Sequence, residues 1–336
     1  MKILFICKQR MSNYGQSYGL LNSAQFVANV LNQNNIEAKV ISVIDNNDID
    51  REVHKYQPSH VVVEAFWVVP EKFDILCVLY PNVQWIVRAH SRIPFLSNEG
   101  IAFDWINGYI EKAREFSNFE LSFNDIQTVR EIKESLRYRS LYTPNIYYPI
   151  ENKYNIDYGF DKNKVLINIG CFGAIRPMKN HLIQAVASIM YGNLNGKKIK
   201  FHINASRIEQ KGDNILKNLR NLFKNQVHEL IEHSWLSHPD FIELVKTMDV
   251  GLQVSFSESF NIVAADFVHH GIPLIGSREI NWLSWLYQAD PNSASSICDK
   301  IDIALFFRNW GLHNINKIKL KIHNRYALKQ WLHILQ

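Results

Sequence analysis

The chain has 336 residues, 47% hydrophobic and 21% charged, a globular balance whose length suits two domains of roughly 150 residues each. No apolar run reaches the roughly 20 residues a membrane helix needs, which argues against an integral helical membrane protein. A net charge of +5 and an isoelectric point near 8.8 suit an anionic ligand, a nucleic acid or an acidic membrane surface, and equally plain solubility.

Residues 2–7, "KILFIC", form an apolar run far shorter than a signal-peptide core and are soon followed by Lys8 and Arg10. They predict a first strand rather than a targeting segment. Residues 17–34 have helical spacing, with Leu20, Ala24, Val27 and Leu31 on one face. Strands are predicted at 37–43, 58–66, 83–90, 119–124 and 140–149, and helices at 70–80, 104–116 and 125–136. The polar, aromatic and unperiodic stretch 147–164 reads as an interdomain linker. A second series follows, with strands at 164–173, 198–205, 228–235 and 249–256 and helices at 180–192, 212–225 and 238–248. Residues 315–335 predict a last helix that packs back toward the first domain. The alternation predicts an α/β protein of two Rossmann-like halves, at 1–150 and 151–315, with 316–336 returning. In that arrangement the carboxyl ends of the strands face each other across a cleft, and ligands bind there. The cysteines, Cys7, Cys77, Cys171 and Cys298, are scattered without metal-binding spacing and read as reduced thiols of a cytoplasmic protein.

Residues 258–276, "ESFNIVAADFVHHGIPLIG", pose the sharpest question. They follow a predicted strand, and a helix is expected to begin near Ser259 or Phe260. Free N–H groups and the macrodipole make a helix start an anion site. Glu258 at that point suits hydroxyl groups beside a phosphate. Asp266 would lie about 12 Å further along the helix at 1.5 Å per residue, near the span from sugar to ribose in a nucleotide sugar. Gly271 caps the helix and Pro273 prevents its continuation.

Two acids separated by seven residues, with Phe260, Gly271 and Pro273, resemble the signature of retaining GT-B glycosyltransferases of the family 4 type. Ser259 and Asn261 replace glycines usual in that family, and Asp266 replaces its second glutamate. The resemblance implies a GT-B fold, with Glu258 on the donor sugar, Asp266 on the ribose, and the N–H groups of Ser259, Phe260 and Asn261 near the phosphate. The segment 170–181, "GCFGAIRPMKNH", is similar to the family's diphosphate-holding segment. It implies donor contact near Gly173 and roles for Arg176 and Lys179 in stabilising the leaving group. Gly15 and Gly19, with Ser12, Ser17, Tyr18 and Asn22, resemble the family's first glycine-bearing loop. His90 stands at a strand end where related enzymes carry a histidine on the donor sugar. The family places donor-base contacts near Ser206, Arg207, His233 and Trp235. The resemblance implies a nucleotide-sugar donor, most simply UDP-linked, and no bound metal. Indeed no metal-ligand spacing, Walker loop or nucleophile elbow is present.

Glu64 ends another strand and suits binding or deprotonating an acceptor hydroxyl. Much of residues 17–106 resembles glycosyltransferases of tailed bacteriophages, some of which modify hydroxymethylated pyrimidines in DNA. That resemblance implies 5-hydroxymethylcytosine in double-stranded DNA as the acceptor, flipped from the duplex, in the host cytoplasm. Arg88, Arg92, Arg114, Arg130, Arg137 and Arg139 are candidates for its phosphates. Two other readings stay open. One is a bacterial cell-surface polysaccharide or lipopolysaccharide glycosyltransferase touching lipid through 147–158 and 315–331. The other is an inactive nucleotide-sugar or nucleic-acid binding protein. The sugar itself, glucose, arabinose or another, is not written in these motifs.

Overall fold

A computed structural model describes residues 1–9, 18–149, 161 and 163–336, Tyr18 by its backbone only. The chain divides into two compact units. One comprises Met1–Ile150 and His323–Gln336, the other Glu151–Ile322. Most of the predicted linker (150–160 and 162) and most of the glycine-bearing loop (10–17, including Gly15) lie outside the described residues.

The first unit alternates strands and helices in order: β1 (Lys2–Lys8), α1 (Tyr18–Gln33), β2 (Glu37–Val43), α2 (Asp48–Tyr56), β3 (His60–Glu64), α3 (Lys72–Leu79), β4 (Gln84–Ala89), α4 (Ile93–Leu96), α5 (Ala102–Glu115), β5 (Phe119–Phe123), α6 (Ile126–Leu136) and β6 (Leu141–Tyr142). The strands pair in parallel in the order β2-β1-β3-β4-β5-β6. A parallel sheet needs cover on both faces, and β1 shows it. Leu4 and Ile6 join Trp85, Phe73, Tyr109 and Phe119 in one core, while Ile3, Phe5 and Cys7 join Val27, Leu31 and Trp331 in the other.

The strand predicted at 140–149 shrinks to two residues. Pro144 has no N–H for the ladder, and the chain beyond is held from elsewhere. The backbone of Tyr147 exchanges hydrogen bonds with the Asn324 side chain, at 3.1 and 2.8 Å.

The second unit contains β7 (Leu166–Gly170), α7 (His181–Asn195), β8 (Lys198–Asn204), α8 (Asp213–Phe223), β9 (Glu229–His233), α9 (His238–Lys246), β10 (Val250–Gln253), α10 (Ile262–His269), β11 (Leu274–Gly276) and α11 (Ala294–Arg308). Its sheet is parallel, in the order β11-β10-β7-β8-β9. The last helix, α12 (Ile315–Ile334), contributes its final turns to the first unit. There Trp331 is fully buried edge-on to Phe5 and donates from Nε1 to Pro144 O at 2.8 Å.

Candidate functional site

In the second sheet, β7 lies between β8 and β10. Connections leaving β7 and β10 therefore depart to opposite sides, which is where open α/β sheets hold ligands at their carboxyl edge. The loop after β7 reaches a 3-10 turn at Pro177–Lys179. Within it Gly173 has φ +122°, and a Cβ there would meet Lys179 Cε at 3.5 Å. Gly173 N–H donates to Asn204 Oδ1 at 3.0 Å.

The loop after β10 is tied to that turn at several points. Phe256 N–H donates to Met178 O at 2.9 Å. Asn180, in the left-handed region at φ 58°, donates from Nδ2 to Val254 O at 3.0 Å and Pro291 O at 2.8 Å. Gln184 Oε1 accepts from Val254 N–H at 2.8 Å. These ties bring together two of the predicted residues, far apart in sequence. Lys179 Nζ lies 2.5 Å from Glu258 Oε1, with the two side chains only 11% and 8% exposed.

Arg176, at the start of the same 3-10 turn, shares an acid that the sequence reading missed. Its Nη1 is 3.3 Å from Glu209 Oε2, while Arg207 Nε donates to Glu209 Oε1 at 2.8 Å. Arg207 and Glu209 flank Ile208, which bridges Ile175. The period-two spacing of an extended segment sends both side chains the same way, and that is the signal that would have found Glu209. The Arg207 guanidinium carbon stands 4.7 Å from the centre of the Trp235 ring. His233 faces inward, stacked on His202, with Nε2 2.9 Å from His202 Nδ1.

The helix expected to start at Ser259 or Phe260 starts at Ile262 instead. Phe260 is 2% exposed, tilted against Trp282, whose Nε1 donates to Phe260 O at 2.9 Å. Its side chain anchors the loop. Asn261 takes the cap, with φ 66°. Its Oδ1 accepts from Ala264 N–H at 2.9 Å and its Nδ2 donates to Gln253 Oε1 at 2.8 Å. Asparagine tolerates the left-handed region and caps well, which explains how it stands where the family has glycine. Consequently Glu258 precedes the helix, the N–H groups of Ser259 to Asn261 are not its first turn, and the 12 Å axial span does not apply. The predicted stop is in place, with Gly271 at φ +77° and Ile272 N–H bonded to Phe267 O at 3.0 Å.

Replacing Asn261 with alanine removes the cap and forces a Cβ into the left-handed region. A loss of about 1–2 kcal/mol is expected in urea unfolding, with Asn261→Gly recovering most of it. Equal stability of Asn261→Ala and the parent would remove the cap from this account.

Asp266, expected to reach a ribose, is 1% exposed and engaged by His238 Nε2 at 3.0 Å. The group presented beside it is His238, whose side chain is 27% exposed. Burial lowers the His238 pKa, but the Asp266 hydrogen bond and charge outweigh it, so the net shift is upward.

In the first unit the strand ends β3 to β6 converge in a buried polar network. Glu64 accepts from Arg88 Nη1 at 3.1 Å and contacts His90 Nε2 with its other oxygen. Arg88 also donates from Nε to Thr143 O at 3.0 Å and from Nη2 to Asn145 Oδ1 at 2.6 Å, and its guanidinium carbon stands 5.1 Å from the centre of the Trp331 ring. Asn124 Nδ2 lies 3.4 Å from His90 Nδ1. Burial raises the Glu64 pKa, but Arg88 and His90 reverse this and leave it below the ordinary value. Burial lowers the His90 pKa, against the pull of Glu64 and with help from the Arg88 charge, and the net shift is downward. An anionic Glu64 and a neutral His90 fit both directions.

Two expectations are corrected here. Arg88 is 0% exposed with every nitrogen engaged, and Arg92 is 6% exposed with Nε 3.3 Å from Asp125 Oδ2. Neither is placed to hold a nucleic-acid phosphate. Arg114, Arg130, Arg137 and Arg139 are exposed. Gly15 and the Tyr18 side chain lie outside the described residues. Among the described residues no three His, Cys, Asp or Glu side chains cluster as a metal site would require, and no helix is long and apolar enough to cross a membrane.

No family model and no curated protein matches this chain in sequence. Solved structures match it in fold. A trehalose-6-phosphate synthase aligns with a TM-score of 0.73 at 11% identity, over 99% of this chain and 98% of that one. The fold is GT-B. An E. coli structure described as trehalose-6-phosphate bound with UDP-2-fluoro glucose aligns at 0.65 and 10% identity, over 98% and 96%. The UDP-forming α,α-trehalose-phosphate synthase of Burkholderia xenovorans, in complex with glucose-6-phosphate, aligns at 0.67 and 12% identity, over 100% of both chains.

Proposed function

We propose that this protein is a glycosyltransferase that moves a sugar from a nucleotide diphosphate sugar, UDP-linked, to an acceptor hydroxyl with retention of anomeric configuration. The observation that carries this reading is the Lys179–Glu258 pair at the switch point of the second sheet, with Arg176 on the same turn as Lys179. Lys179 and Arg176 supply positive charge for a diphosphate and for the charge that develops as it leaves. Glu258 supplies an acceptor for sugar hydroxyls. Asp266 and His238 read the ribose as a pair. The diphosphate is held by side chains and backbone N–H groups rather than by a metal. The leaving phosphate takes the acceptor proton on the face it departs from, so no dedicated base is needed. The fold shared with UDP-forming synthases supports the donor class.

The proposed acceptor is the hydroxymethyl oxygen of 5-hydroxymethylcytosine in DNA. The phage-like sequence of the first unit supports it, as do the exposed Arg114, Arg130, Arg137 and Arg139. A transfer assay with a panel of labelled UDP-sugars tests both halves. The acceptors are hydroxymethylcytosine duplex DNA, plain cytosine duplex, and glucose-6-phosphate, which is bound to one structural neighbour. Label on the modified duplex alone is expected. Label on the sugar phosphate alone would refute the DNA acceptor and keep the transferase. No transfer or donor hydrolysis with any sugar would refute the enzyme.

A further inference from the structure

We propose that Glu64 is a positioning residue that fixes the tautomer and ring orientation of His90, with Arg88 as its lock, and that it is not the base for an acceptor hydroxyl. This rests on the glycosyltransferase reading, together with the family resemblance that implies a role for His90.

Glu64 is 1% exposed at the end of β3, so solvent does not stabilise its charge. Arg88, opposite it on β4 in parallel register, supplies that stabilisation. Arg88 is in turn fixed by Thr143 O, Asn145 Oδ1 and the Trp331 ring, so it cannot swing to another partner without leaving buried acceptors unsatisfied. A carboxylate already neutralised by a fixed guanidinium is a weak base. It is a strong acceptor for the His90 Nε2 proton. That assignment places the proton on Nε2 and leaves Nδ1 as an acceptor facing the Asn124 amide. The residue after Glu64 supports the same conclusion. Ala65 is held at φ 70°, a conformation that costs a non-glycine residue energy, while its N–H continues the ladder to Arg88 O at 2.8 Å. The backbone is strained where it aims Glu64, which suits a device for orientation.

The hydrogen-bond inventory makes the effect of one atom explicit. Glutamine at position 64 has a single oxygen. Turning its amide toward Arg88 would oppose two donors, so the oxygen goes to Arg88 and the NH2 group goes to His90. His90 must then accept at Nε2 and carry its proton on Nδ1, which obliges the Asn124 amide to turn its oxygen toward the ring. A near-isosteric change thus inverts the tautomer, the same logic by which a buried carboxylate orients the histidine of a catalytic triad.

Two readouts test this in the full chain. The 15N imidazole shifts of His90, assigned against His90→Gln, are expected to report Nε2–H in the parent and Nδ1–H in Glu64→Gln. In transfer assays Glu64→Gln is expected to lose about 10²-fold or more in kcat with KM within a few-fold. Glu64→Gln/His90→Ala is expected to be no slower than His90→Ala alone, because Glu64 acts through His90. Losses that multiply in the double variant, or an Nδ1–H tautomer in the parent, would overturn the assignment. If the parent transfers no sugar, the glycosyltransferase reading falls by itself. The tautomer measurement still decides the role of Glu64, because it is read in the parent, with His90→Gln used only for assignment, and it needs no sugar transfer.

Discussion

Lys179→Ala is expected to lower turnover by about 10²–10³-fold, the usual loss for one preorganised charge that meets a developing anion. The structure adds a second consequence. Lys179 and Glu258 are each about nine-tenths buried and neutralise one another. Removing either leaves a carboxylate or an ammonium largely buried without its partner, which costs up to about 3–5 kcal/mol for a fully buried pair. Each single variant is therefore expected to unfold at lower urea than the parent. Lys179→Ala/Glu258→Ala removes both charges and should regain part of that stability while regaining no turnover. The contrast separates a catalytic pair from a structural one. A double variant that recovered both stability and rate would show that the pair only holds two loops together. Near-normal rates in both single variants, at temperatures where they are folded, would remove the site assignment altogether.

The same pair shows how much could be read beforehand. Apolar runs such as "HVVVE" and "LINIG" mark β3 and β7, and the candidate site residues were sought at or just past the carboxyl ends of such strands. Spacing alone could not say which strand ends are neighbours. The order β11-β10-β7-β8-β9 sets Glu258 against Lys179, and the order of the first sheet gathers Glu64, Arg88 and Asn145 across separations of 24 and 57 residues.

The start of α10 was misread for a different reason. Ser257, Ser259 and Asn261 are all competent caps, and local sequence does not rank them. The ranking comes from Trp282, more than twenty residues away, which buries Phe260 and holds its carbonyl. That contact keeps 259 and 260 out of the helix and leaves the cap to Asn261. Arg88 and Arg92 were misjudged likewise. Cations in a basic chain suggested a phosphate surface, yet both serve acids on adjacent strand ends.

The second unit is expected to lose several kcal/mol between pH 7.5 and pH 5, well above the range in which ordinary carboxylates titrate. Three buried histidines carry this expectation. Burial, then the charges of Lys179 and Arg176, lowers His181 to about 3. Burial, then His233 and Lys200, lowers His202 to about 4. Burial, then Arg308 and Lys317, lowers His313 to about 4 in spite of a backbone contact at Gly271. His181 is the clearest case, because neither ring nitrogen has a hydrogen-bond partner and the ring is 1% exposed. Protonation would place an unpaired cation beside two others. The sign follows from the order of the two values. The folded pKa lies below the unfolded value near 6.5, so the unfolded chain binds the proton first as pH falls. The stabilisation is complete above about 6.5 and drains away toward the folded value. At pH 5 each group has given up about 2 kcal/mol, at roughly 1.4 kcal/mol per pH unit. Urea midpoints at pH 7.5 and 5.0 measure the loss. His181→Phe, which keeps an aromatic ring and removes the titration, should flatten part of the slope. Unchanged midpoints between the two pH values would mean that these histidines are solvated or already charged in the folded protein. Their burial beneath Lys179 and Arg176 would then need a different account.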